Sequence, residues 1–276
     1  MTKLNSISSR RKFLLGSSAL SFVTLLPGTP GARAKALQNI EDGNPAFAAT
    51  PRDTLLKFNP DGSRRPFAGN TVICHLPQQC RVRNSIATLG DALRASSFAH
   101  KLAVLPSDSY HMTVLSGPND QDRARYGWPA DVPIDVPMSE CNRIVGERIA
   151  NFRMHVELPI RVRLDSGKTL DRQRASGLHI SPADDGESSK LRTLRDRLAA
   201  EVFRFRTEDH ATFGFHVSLA YQMSRFTAEE EAQYQTILTR HVPAIIASSP
   251  VIELGVPEFC TFEDMYCFEI RTLLRT

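Results

Sequence analysis

Ser109-Tyr110-His111-Met112-Thr113-Val114-Leu115 and Phe213-Gly214-Phe215-His216-Val217-Ser218-Leu219 are the two stretches whose reading decides the fold. Both alternate with a period of two, and side chains at i and i+2 of a strand share a face. Tyr110, Met112 and Val114 therefore point one way, as do Phe215, Val217 and Leu219. His111 with Thr113, and His216 with Ser218, point the other way. Each strand sets an imidazole beside a hydroxyl on one face and an apolar row on the other.

Outward from these strands, an order of elements repeats. Residues 71–76 read as a strand closed by Pro77, and Val82, Ile86, Leu89 and Leu93 recur at helical spacing over 80–98. The His111 strand follows. In the second half, residues 176–181 read as a strand, and Leu191, Leu194, Leu198 and Val202 mark a helix over 187–205 before the His216 strand. His75 precedes His111 by 36 positions, and His179 precedes His216 by 37. The repeat predicts an α+β, bilobal fold. Two pseudo-symmetric lobes, each an antiparallel sheet with flanking helices, would face one another around a central cleft.

The rest of the chain fills in this plan. A helix is expected over 139–151. Met154, Val156, Leu158, Ile160, Val162 and Leu164 alternate with polar residues, which predicts one long strand with an edge or a bend at Pro159. Its polar face carries His155, Arg161 and Arg163, read as a solvated edge, with the lining of a groove where they would meet phosphate as the alternative. Thr227 with Glu230 forms a capping box for a helix that should stop near His241, before Pro243. Two more strands fit 250–256 and 265–271. A loop over 118–137 holds Arg123, Arg125, Tyr126 and Trp128.

Residues 1–34 read as an address. Arg10-Arg11-Lys12-Phe13 precedes an apolar run from Leu14 to Leu26, and Ala32-Arg33-Ala34 ends it with small residues. The arginine pair resembles a twin-arginine export signal. Cleavage after Ala48 or Ala49 is a second option. The expected organisation is therefore a signal over 1–34, an irregular arm over 35–69 rich in Pro and Gly, and one two-lobed domain over 70–276, periplasmic or exported. The signal holds Lys3, Arg10, Arg11, Lys12 and Arg33 and no acid, so without it the formal charge of +4 becomes −1. That balance gives no bulk field for long nucleic acid. A small phosphodiester or nucleotide suits a near-neutral monomer better, and no internal apolar run is long enough for a stable membrane anchor.

Five cysteines are present, Cys74, Cys80, Cys141, Cys260 and Cys267, with no C-x-x-C spacing. Neither that nor an H-E-x-x-H motif suggests a metal, and no cofactor is expected. Two imidazoles can do what a metal would otherwise assist. One neutral ring takes a proton from the nucleophile, and one protonated ring gives a proton to the leaving oxygen of a phosphodiester. Thr113 and Ser218 can hydrogen-bond the non-bridging oxygens as charge develops there.

Two H-x-[ST] motifs on strands about a hundred residues apart, His111-Met112-Thr113 and His216-Val217-Ser218, resemble those of the 2H phosphoesterase superfamily, over residues 70–272. That group includes 2′,3′-cyclic phosphodiesterases. The resemblance implies a bilobal α+β fold with these four side chains lining a groove, one histidine as base, the other as acid, and no metal. It marks His111 and His216 as catalytic and Thr113 and Ser218 as phosphate-binding. Arg125, Tyr126, Trp128 and His179 are candidate substrate contacts. His179-Ile180-Ser181 is a third H-x-S, but it aligns with His75 in the repeat, so both are read as strand histidines, structural or at the cleft wall.

Overall fold

In the computed structural model, residues 54–171 and 177–276 are described, the side chain of Arg125 excepted. The proposed signal and the first part of the arm lie outside them. The later part of the arm belongs to the fold. Thr54–Lys57 forms one helical turn, and Phe58 and Phe67 are buried in the core. The packed domain therefore begins before residue 70.

Among the described residues ten strands are seen: β1 Gly69–His75, β2 Leu102–Val104, β3 His111–Asn119, β4 Ile160–Leu164, β5 Gly177–Pro182, β6 His216–Ser218, β7 Ala220–Gln222, β8 Ile252–Leu254, β9 Glu258–Phe262 and β10 Glu269–Leu273. Eight join in one antiparallel sheet of order β10-β9-β1-β3-β6-β5-β4-β8, while β2 and β7 pair separately. The class is α+β, as expected. The two halves do not form separate facing sheets. Strands β3 and β6 pair edge to edge through Met112 and Val217, which satisfies backbone groups that two isolated sheets would leave open.

The apolar rows behave as the alternation demands. Tyr110, Met112, Val114, Phe215, Val217 and Leu219 are all buried. They meet the helix Arg81–Arg94, which buries Val82, Ile86, Leu89 and Leu93, and the helix Asp185–Arg197, which buries Leu191 and Leu194. The helix Met138–Asn151 and the capping box at Thr227 fall where the sequence places them.

Three expectations are corrected. The strand over 154–165 is only Ile160–Leu164: His155 has φ +50°, and the chain bends at Leu158 and Pro159 before it joins the sheet. Pro159 thus marks a bend rather than an edge, and β4 has neighbours on both sides. The helix after Thr227 runs to Ser248 through Pro243, since Tyr234, Leu238, Val242 and Ile245 continue one buried face past it. Residues 213–221 divide between two sheets: the Leu219 carbonyl accepts from Leu105 N–H, and β7 then pairs with β2. No helix among the described residues is long and apolar enough to cross a membrane.

One glycine guards the pairing that carries His216. Gly177 lies opposite Ser218 with φ +147°, and a Cβ there would come 2.2 Å from the Val217 carbonyl oxygen. Replacing Gly177 by Ala should cost about 2 kcal/mol or more from backbone strain and overlap. Denaturant unfolding checks this, and an unchanged midpoint would contradict it.

Candidate active site

The strand register places the candidate residues before any side-chain torsion is considered. His75 pairs with His111, Met112 with Val217, His179 with His216, and Gly177 with Ser218. Antiparallel pairing at Met112 and Val217 sets His111 opposite Ser218 and Thr113 opposite His216. One face therefore carries the row His75, His111, Ser218, Gly177, and beside it Thr113, His216, His179. The four histidines, Thr113 and Ser218 are half-buried, while Cys74, Met112, Val217 and Leu178 behind them are buried. The two imidazole–hydroxyl pairs are neighbours on one sheet face, side by side and not across a gap between two sheets.

Both rings are held in the same way. His111 Nδ1 lies 2.7 Å from the Ser109 carbonyl oxygen, and His216 Nδ1 lies 3.1 Å from that of Gly214. A carbonyl oxygen only accepts, so each Nδ1 carries the hydrogen and donates it. Each Nε2 is then the nitrogen left to take or give a proton. The acceptor is the residue two positions back in both cases, so the chain turn entering each strand fixes the tautomer.

Desolvation decides the charge of His111. Burial pushes the His111 imidazole down to about 3, against a weaker upward pull from its Ser109 hydrogen bond; His75 and His216 push it down further. His111 is thus neutral at physiological pH, with its Nε2 lone pair available. Phe268 closes one side of that ring, with centroids 4.4 Å apart, and Phe213 lies 6.3 Å from His216. Behind the face, buried Arg195 donates to the Val114 carbonyl on β3 and, at 3.2 Å, to the His210 carbonyl in the segment leading to β6. Its guanidinium lies 4.1 Å from the Phe213 ring centroid. Burial lowers this arginine to about 10, so it stays charged at neutral pH and ties the approaches to the two histidines together.

The other candidates take varied places. His179 stands beside His216 on the sheet face, and His75 occupies the corresponding place beside His111. Trp128 works within its own loop: its indole donates to the Val132 carbonyl at 3.0 Å, and Arg123 covers its ring at 4.3 Å. Tyr126 packs edge-on to Phe67, which stacks on Phe262, which in turn meets Phe268 beside His111. The Arg125 side chain lies outside the described residues. Arg161 is engaged by Glu187 at 3.0 Å. Sequence reasoning missed Phe268, Glu258 and Arg195. Register alone could have exposed Glu258, since it lies on the strand next to β1, opposite Ile73. Among the described residues, a metal ion could be held by His75, Glu258 and Cys260, whose ligand atoms lie within 4.8 Å of one another. Burial, and then Glu258, push the Cys260 thiol up to about 12, so binding a metal there would have to displace that proton.

Comparison with known proteins bears on this face. Residues 57–170 match the family model 2H-phosphodiest, described as a domain of unknown function (DUF1868). The match is consistent with the 2H phosphoesterase superfamily; it spans His75 and His111 and stops before His216. A crystal structure of a conserved protein of unknown function, ATU0111 from Agrobacterium tumefaciens, superposes with a TM-score of 0.73 at 28% identity, covering 81% of this chain and 93% of that one. That likeness supports the fold. TT0787 of Thermus thermophilus is 13% identical over 74% of this chain and 96% of that one, with a TM-score of 0.37. No curated protein matches.

The His111 shift has a direction that can be measured. Between the ordinary histidine value of 6.5 and about 3, the unfolded chain binds a proton at this position that the folded chain does not. Stability should therefore fall as pH drops through that window, and His111→Gln should flatten the slope. Imidazole NMR of the folded protein should show His111 titrating far below 6.5. A midpoint near 6.5 would contradict the enclosed, neutral ring.

Proposed function

Taking the 2H-phosphodiesterase-like match as premise, we propose that this chain is a metal-independent phosphodiesterase acting on a cyclic phosphate or short phosphodiester resembling a 2′,3′-cyclic nucleotide. The family match suggests phosphodiesterase-type activity in general. The finer reading is carried by one observation: both rings, on a single sheet face, commit Nδ1 to a backbone carbonyl, which makes Nε2 the titrating nitrogen of each.

The assignment of roles starts from the neutral state of His111. Neutral His111 is the base. Its Nε2 takes a proton from water as the water oxygen bonds to phosphorus. His216, protonated, gives its proton to the leaving oxygen as the P–O bond breaks. Thr113 and Ser218 donate to the non-bridging oxygens, and each stands opposite the other strand's histidine. The arriving phosphodiester is anionic. Beside His111 it favours the imidazolium over the neutral ring, which offsets desolvation and makes the base stronger when substrate is present.

Export belongs to the same proposal. Arg10-Arg11 and the following apolar run would carry the folded enzyme out of the cytoplasm, where a small envelope or extracellular phosphodiester would be its substrate. Replacing both arginines by lysine should leave the protein in the cytoplasm on fractionation.

The decisive assay is a panel of cyclic phosphates with the purified domain, with and without excess chelator. Turnover should survive chelation. His111→Ala and His216→Ala should each lose about 10³-fold while remaining folded, and Thr113→Val or Ser218→Ala about 10-fold to 100-fold. Binding of nucleotides without turnover would make the chain a binding module of the same fold.

A further inference from the structure

A third imidazole stands in one row with His111. His75 ends β1, pairs directly with His111, and is half-buried on the same face. The two rings are edge to face, with centroids 6.0 Å apart. His75 Nδ1 pairs with the Glu258 carboxylate, which comes from β9 on the far side of β1 from β3. The two nitrogens of an imidazole point away from one another across the ring. With Nδ1 turned toward β9, Nε2 is the nitrogen turned toward β3 and His111.

We infer that His75, oriented by Glu258, is a phosphate-contacting residue of this site. Its Nε2 would meet an oxygen of the phosphate held beside His111. The inference rests on the phosphodiesterase reading for its substrate, and on the register for its geometry. A carboxylate on the remote nitrogen fixes ring orientation and tautomer, as it does for histidines that must present a chosen nitrogen. Glu258 supplies that carboxylate to His75. The groups that set the charge beside His111 are then His75 on β1, His216 on β6 and Glu258 on β9, with Phe268 adding apolar cover.

Two sets of measurements test this independently of each other. With inorganic phosphate as probe, followed by imidazole NMR of the full chain, His75→Gln should weaken binding about 10-fold, and Glu258→Gln should weaken it in the same direction. In turnover, His75→Gln should raise KM and reshape the pH profile, whereas His111→Ala should abolish kcat. If His111→Ala kills turnover but His75→Gln leaves phosphate affinity, KM and pH profile unchanged, this inference fails and the phosphodiesterase reading stands. If no phosphodiester is turned over while phosphate binding still depends on His75, the reading fails and the inference stands. Should His75→Gln not fold, Glu258→Gln carries the same comparison. Stoichiometric zinc in the purified protein, lost in both His75→Gln and Cys260→Ser, would assign the cluster to a metal and overturn the phosphate contact.

Discussion

The pairing of Met112 with Val217 is the constraint on which the site depends. It joins two halves of the chain that are separated by more than a hundred residues. Because it is antiparallel, it sets each histidine opposite the other strand's hydroxyl. Buried Met112 and Val217 fix which way the strands face, and a one-residue slip would turn every polar group into the core. The placement of four candidate side chains thus follows from two apolar residues and one register.

Second to the register comes the handling of protons. Carbonyls of Ser109 and Gly214 fix both rings in one tautomer, and desolvation keeps His111 neutral. The surroundings differ on the two sides. Phe268 and the His75–Glu258 pair adjoin His111, while Phe213, braced by Arg195, adjoins His216. Near-symmetric backbone geometry with unlike surroundings would let two identical side chains take the opposite roles proposed for them.

Much of this was legible in the residues. Period-two alternation alone gave the buried rows around His111 and His216 and put the hydroxyls on the histidine face. It could not say that β3 and β6 would share a sheet, because strand partners distant in sequence leave no local periodicity. Alternation also misled over 154–158, where a left-handed His155 and a bent peptide at Pro159 take the chain out of the sheet. Pro243 reads locally as a stop, yet a continuous buried face carries the helix past it. Phe268, Glu258 and Arg195 reach the site through tertiary packing, and nothing adjacent to them in the chain marks them.

The central claim is that the rings of residues 111 and 216 serve one phosphate. It is tested most directly by titrating the protein, labelled with ¹⁵N in its histidines, with a nucleoside 2′-phosphate. The account predicts that the Nε2 signals of both rings shift together and saturate at the same ligand concentration, with each Nδ1 remaining protonated. Movement of one ring alone, or two independent saturation curves, would contradict it.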